Sequence, residues 1–113
     1  MSNEPVKTIG GKVHYLERIG LLPNSTLSVR LLDVSLADAP AKELAVQITP
    51  NAEKIGLDFN LTYKLADVLP GHTYAIRATL THEDKLIFTT TQHHPVVLGV
   101  DYAKDQEVLI SRV

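Results

Sequence analysis

From Ile55 to Tyr63 the chain reads IGLDFNLTY, so that Ile55, Leu57, Phe59, Leu61 and Tyr63 alternate with Gly56, Asp58, Asn60 and Thr62. Successive side chains on a β-strand point to opposite faces, so this period of two predicts a half-buried strand and excludes a helix. The same alternation recurs at Leu27, Val29 and Leu31, at Leu44, Val46 and Ile48, and at Tyr74, Ile76, Ala78 and Leu80. Lys12 to Glu17, Lys85 to Thr91 and Glu107 to Val113 read as three more strands. Pro or Gly punctuates the chain at Gly10-Gly11, Pro23, Pro40, Pro50, Pro70-Gly71 and Pro95. About seven short strands at this spacing predict an all-β antiparallel sandwich or barrel. Short helical turns are expected only at Asp38 to Glu43 and Lys64 to Val68. The segment from His72 to Thr81 runs into His82-Glu83-Asp84-Lys85 and returns as LIFTTT, a connection short enough to make the two strands a hairpin.

One corner favours the sandwich. Leu69-Pro70-Gly71-His72-Thr73-Tyr74 resembles the turn before a central strand in fibronectin type III and immunoglobulin-like domains. There a Tyr hydroxyl bonds backbone just upstream. Pro70 and Gly71 supply the turn and Tyr74 opens the next apolar face, so these residues are assigned structural roles. The expected outline is an immunoglobulin- or fibronectin-like β-sandwich.

Bulk properties narrow the function. A chain of 113 residues fits one domain, read as a polar tail over residues 1–5 and a β-sandwich over 6–113. Apolar residues make up 44%, too many for a disordered chain. The net charge is −2 and the Lys and Arg residues are scattered, with no basic stripe or stacking aromatics, which argues against nucleic-acid binding. Cysteine is absent, which rules out disulfides, thiolate chemistry, Cys-based zinc sites and a lipidated Cys on this chain. The N-terminus lacks the apolar run of a signal peptide, and no stretch approaches a transmembrane span. As written the chain reads as cytoplasmic. A mature, periplasm-facing fragment fitted with a starting Met would read the same.

No constellation for catalysis or for a cofactor stands out. His93 and His94 are adjacent and would point to opposite faces of a strand, while His82, Glu83 and Asp84 sit where a hairpin tip needs polar residues, so no metal is expected. Ser, His and Asp are present without a nucleophile elbow or a phosphate-cradling Gly loop, and Gly10-Gly11 reads as a bend before a strand. The chain is read as a non-enzyme. The sequons at Asn24 and Asn60 read as chance occurrences.

Asp33 falls on the same phase as Leu27, Val29 and Leu31, where a buried lone carboxylate would be costly. Either a bulge after Leu31 turns it outward and brings Leu32, Val34 and Leu36 onto the apolar phase, or the strand stops and Asp33 or Ser35 bonds local backbone. Both readings make Asp33 structural. The stretch Tyr15 to Asn24, YLERIGLLPN, crowds Leu16, Ile19, Leu21 and Leu22 around Gly20 and Pro23. It is an apolar loop that either caps the core, the preferred reading, or forms a docking patch. These four residues are the best protein-docking candidates in the chain. The edges at Lys12 to Glu17 and Gln106 to Val113 are alternatives that a partner's strand could extend.

The segment YLERIGLLPNSTLSVRLLDVSLADAPAKELA resembles the opening of the YbaY family, grouped with the YscW-type lipoprotein chaperones of type III secretion. The resemblance rests on Tyr15 to Ile19, Leu22-Pro23-Asn24, Leu27 to Leu32, Asp33-Val34-Ser35 and Ala37 to Ala41. It extends to Phe59-Leu61-Tyr63, Pro70, Tyr74 to Ala78, Phe88-Thr89-Thr90 and Ser111-Arg112-Val113. It implies a compact β-sandwich without catalysis and, more loosely, a chaperone or pilot role toward a secretion component. The family's lipobox Cys and signal peptide have no counterpart in this chain. The leading expectation is a domain that docks a protein of the cell envelope; the alternatives are a carbohydrate- or small-ligand-binding accessory and a small hydrolase.

Overall fold

A computed structural model of the protein describes residues 5–16, 20–36, 40–90, 94–99 and 103–113. Glu17, Ile19, Asp38 and His93, together with residues 1–4 of the expected tail, lie outside them. Eight strands form: β1 (Val6–Tyr15), β2 (Ser25–Asp33), β3 (Lys42–Thr49), β4 (Asp58–Lys64), β5 (Tyr74–His82), β6 (Lys85–Thr89), β7 (Pro95–Val96) and β8 (Ala103–Arg112). One helical turn, α1 (Ala52–Ile55), follows β3, and a 3-10 turn (Leu65–Asp67) follows β4. The second of these coincides with an expected turn. The turn expected at Asp38 to Glu43 is instead cut off by β3, which starts at Lys42.

The strands pair in the order β3-β2-β5-β6-β8-β1-β4, and β7 sits beside the first residues of β5. The two ends of this sheet come together. The Gln47 side chain on β3 accepts from the Asn60 N–H at 2.8 Å and donates to the Asp58 carbonyl at 3.3 Å, both on β4. A side-chain amide thus takes the place of a ladder bond and draws one sheet toward a barrel. The immunoglobulin-like sandwich expected above is corrected here, and so is the wholly antiparallel pairing, because β1 and β8 run parallel. Alternation specifies which side chains face the interior. It does not specify whether that interior lies between two sheets or inside one curled sheet.

The core is built as the alternation requires. Along β4, Phe59, Leu61 and Tyr63 are buried while Asp58, Asn60, Thr62 and Lys64 are exposed. They meet Leu27, Val29 and Leu31 from β2, Ile76, Ala78 and Leu80 from β5, and Val108 and Ile110 from β8. Full burial of each large aliphatic side chain contributes roughly 1.5–3 kcal/mol. The β5–β6 hairpin turns on Glu83 and Asp84 alone. Both have positive φ, 51° and 63°, which matches the right-handed twist of the flanking strands.

Two segments depart from expectation. Gly10-Gly11 was expected as a bend, yet β1 passes straight through it from Val6. The pairing with β8 shifts register between Ile9 and Gly11, and a Cβ on Gly11 would sit 1.9 Å from the Gln106 carbonyl oxygen. The glycine is there because another backbone occupies the place of its side chain. On β3 the phase is inverted. Val46 and Ile48 are 42% and 59% exposed, whereas Ala45 and Gln47 are half-buried and Thr49 is buried. Their partners on β2 are Arg30 and Ser28, which point away from the core. The register slips between Leu31 and Leu32 and leaves Leu44 as the extra residue on β3, packed against the core.

Candidate functional site

The apolar loop ahead of β2 is fastened before it is presented. Ser25 is fully buried, donates its hydroxyl to the Leu22 carbonyl at 2.6 Å, and donates its N–H to Glu53 of α1 at 2.9 Å. Asn24, at φ 60°, makes the turn into the strand. Held this way, Leu21 packs against the core while Leu22 is 48% exposed. Leu16, just past the end of β1, is 74% exposed. Tyr15 beside it stacks on Phe88, ring centroids 5.1 Å apart. Leu21 therefore does the capping, Leu16 and Leu22 are available at the surface, and Ile19 lies outside the described residues. A pocket of about 260 Å³ lined by Lys12, Val13, His14, Tyr15 and Leu57 opens next to Leu16. It carries a single aromatic ring, unlike the aromatic-lined cleft that sugar binding calls for.

The Asp33 corner lies at the other end of β2. The strand stops at Asp33, whose carboxylate accepts from the Ser35 N–H at 3.0 Å, the Ser35 hydroxyl at 2.6 Å and His72 Nδ1 at 2.6 Å. A carboxylate can only accept, so His72 carries its proton on Nδ1. Ser35 and His72 together hold the Asp33 carboxyl down at about 2. The Ser35 hydroxyl oxygen also accepts from the Thr73 N–H at 2.8 Å, and Val34 N–H bonds the Thr73 carbonyl. The extra residue of the nearby bulge sits on β3, so Leu36 stays 71% exposed rather than joining the apolar phase. Beyond Pro70 and Gly71 (φ 79°), the Tyr74 hydroxyl accepts from the Leu69 N–H at 2.7 Å and reaches the Asp67 carbonyl at 3.5 Å. These groups bond one another and the backbone, and the corner joins β2 to β5 without presenting an open site.

Sequence reasoning missed the outer face of β2, β3 and β5. Arg30 and Arg77 are direct cross-strand partners there, and Arg30 pairs with Glu43 at 2.5 Å. They line an open basin of about 630 Å³ together with Leu32, Pro40 and Thr79. The only available signal was that both arginines occupy outward positions of their alternating strands. The described histidines do not gather. His72 faces Asp33 and His94 faces Gln106, and among the described residues no three potential ligands cluster as a metal site would need. Nor is any helix of the described residues long and apolar enough to cross a membrane.

With this geometry in hand, known proteins provide the comparison. Over 79% of its length the chain is 36% identical to an uncharacterized lipoprotein, YbaY, of Escherichia coli strain K12. The match covers 47% of that protein, so the chain spans about half the length of this curated relative. Its fold superposes on an alternative pilotin from the type II secretion system of Vibrio cholerae with a TM-score of 0.85 and 35% identity, covering 96% of this chain and 98% of the other. The family model described as type III secretion system lipoprotein chaperone (YscW) matches residues 4–109. A β-rich fold and a match running nearly end to end lead to one assignment: this chain belongs to the YscW lipoprotein-chaperone family, alongside YbaY.

Proposed function

We propose that this chain is a non-catalytic docking domain that holds a protein of the cell envelope in the manner of a secretion chaperone or pilot. The non-catalytic reading follows the descriptions of its relatives as chaperone and pilotin. Contact is made through the loop end carrying Leu16 and Leu22. The supporting observation is that the end of the loop at Leu22 is pinned by Ser25 and Glu53, with Leu21 turned inward, while Leu22 and, past the end of β1, Leu16 face water. Apolar side chains on a preorganised loop lose little conformational freedom on binding, which favours affinity.

The test is a pull-down from the source cell with the unaltered chain, Leu16→Asp and Leu22→Asp. Both positions are exposed, so the substitutions leave the core in place, and an unchanged melting temperature verifies this. Loss of a captured protein by both variants is the expected result. Folded variants that retain every partner refute the loop end as the docking site.

A further inference from the structure

On β2, β3 and β5 the register lines up rows of side chains that point away from the core. One row is Ile48–Ser28–Thr79 and the next is Val46–Arg30–Arg77. Side chains directly opposite on an antiparallel pair are about 5 Å apart, and like charges in that position repel. Arg30 has Glu43 as counter-ion, whereas Arg77 has no ion-pair partner among the described residues. A surplus positive charge thus stands on a face of a chain whose net charge is −2. Both guanidinium groups open into the basin, whose floor includes Leu32, only 6% exposed. On β3, one strand from Arg30 and two from Arg77, Val46 and Ile48 form an apolar shelf.

Each part of this arrangement narrows the occupant. Arginine offers a planar fork that binds a carboxylate in bidentate fashion. Glu43 on Arg30 shows a carboxylate already seated on this face. The shelf on β3 lies one strand spacing from Arg30 and two, about 10 Å, from Arg77. Side chains seven residues apart on one face of a peptide helix are separated by about 10.5 Å, which spans from Arg77 to the shelf. Arginine beside exposed apolar side chains, with charge otherwise sparse, is the composition that protein interfaces favour. We infer that the outer face of β2, β3 and β5 is a second docking surface, which takes a partner-protein segment setting an Asp or Glu side chain on Arg77 and apolar side chains on Val46 and Ile48. This surface lies along β2 beyond the Leu22 loop and stands whether or not that loop binds.

The probes are a capped synthetic amphipathic helix with Leu on one face and Glu along its flank, the same peptide with Gln for every Glu, and phosphatidylglycerol vesicles. Each is titrated into the ¹⁵N-labelled full chain. The Glu peptide is expected to move the amide signals of Arg77, Thr79, Val46 and Ile48 and to leave that of Leu22 in place. The Gln peptide and the Arg77→Gln variant should each bind about tenfold more weakly, the equivalent of one lost charge-assisted contact. Ile48→Ser should weaken the Glu peptide without altering its preference over Gln. An unchanged spectrum away from residue 77 shows that Arg77→Gln is folded. Equal binding of the two peptides, undiminished binding by Arg77→Gln, no binding by either peptide, or shifts centred elsewhere overturn the proposal. Response to the vesicles alone also overturns it, because it assigns the face to an anionic lipid surface.

Discussion

The two strands at the ends of the sheet, β4 and β3, carry the same kind of alternating sequence and use it in opposite senses. On β4 the large side chains Phe59, Leu61 and Tyr63 all point inward. On β3, Val46 and Ile48 point outward, and the inward positions hold Ala45, Gln47 and Thr49. The difference lies in what each strand must close against. β4 covers the wide interior next to β1, where large side chains fill volume. β3 meets β4 at the seam, where Gln47 has to reach backbone that no strand satisfies. Large aliphatic side chains at Ala45 or Gln47 could not supply those hydrogen bonds, and an unpaired backbone group is expensive.

The contrast can be broken by mutation, beginning with the largest effect. Leu61→Ala on β4 should cost about 2–5 kcal/mol in urea denaturation, since Leu61 is 1% exposed and a cavity would remain. Gly11→Ala, beside β4 in the sheet, should cost about 1–3 kcal/mol, because the new Cβ meets the Gln106 backbone and β1 must move off β8. Gln47→Ala should cost about 1 kcal/mol and speed hydrogen exchange at the Asn60 amide, whose acceptor it removes. An unchanged Asn60 rate would mean that the seam is held by something else.

The pH dependence sharpens the comparison at the end of β2 that pairs with the start of β3, where Asp33 lies opposite Lys42. The Asp33 carboxyl is held down at about 2, and an unfolded aspartate titrates near 3.9. Its contribution is therefore fully present above about pH 4 and is lost as the pH falls toward 2. Asp33→Asn should be the less stable protein at pH 6, and the gap between the two denaturation midpoints should close between about pH 4 and 2. A gap that persists at pH 2 would place the stabilisation elsewhere. The smallest effect is expected for Ile48→Ala. At 59% exposure it should change stability by less than about 0.5 kcal/mol, against the loss at Leu61.

What the sequence made legible follows from how local the deciding physics is. The β5–β6 hairpin was readable because its turn involves only Glu83 and Asp84. The inward faces of β2, β4 and β5 were readable because each alternates strongly on its own. β1 was read too short because a Gly pair inside a strand looks like a bend until the β8 backbone against it is seen. β7 was taken as punctuation because Pro95 cannot donate, although its short edge pairing with β5 does not require it to. The inverted phase of β3 and the curled sheet depend on which strands become neighbours, and alternation is silent on that. Leu16, Ile19, Leu21 and Leu22 could be singled out as an apolar loop beside Gly20 and Pro23, but not which of them face water, whereas Arg30 and Arg77 meet only through strand register.

The parallel pairing of β1 with β8 has a consequence for how the molecule is assembled. β8 lies between β6 and β1 and, among the described residues, is the strand whose ladder joins the group β3-β2-β5-β6 to the group β1-β4, which otherwise meet through the Gln47 side chain. It also follows every other described strand in chain order. Until it is made the nascent polypeptide holds two half-sheets with no ladder between them, and contacts so distant in sequence form slowly. A chain of this design passes through a vulnerable, sticky stage before β8 is made, and its sheet becomes continuous only when that strand slots into the gap.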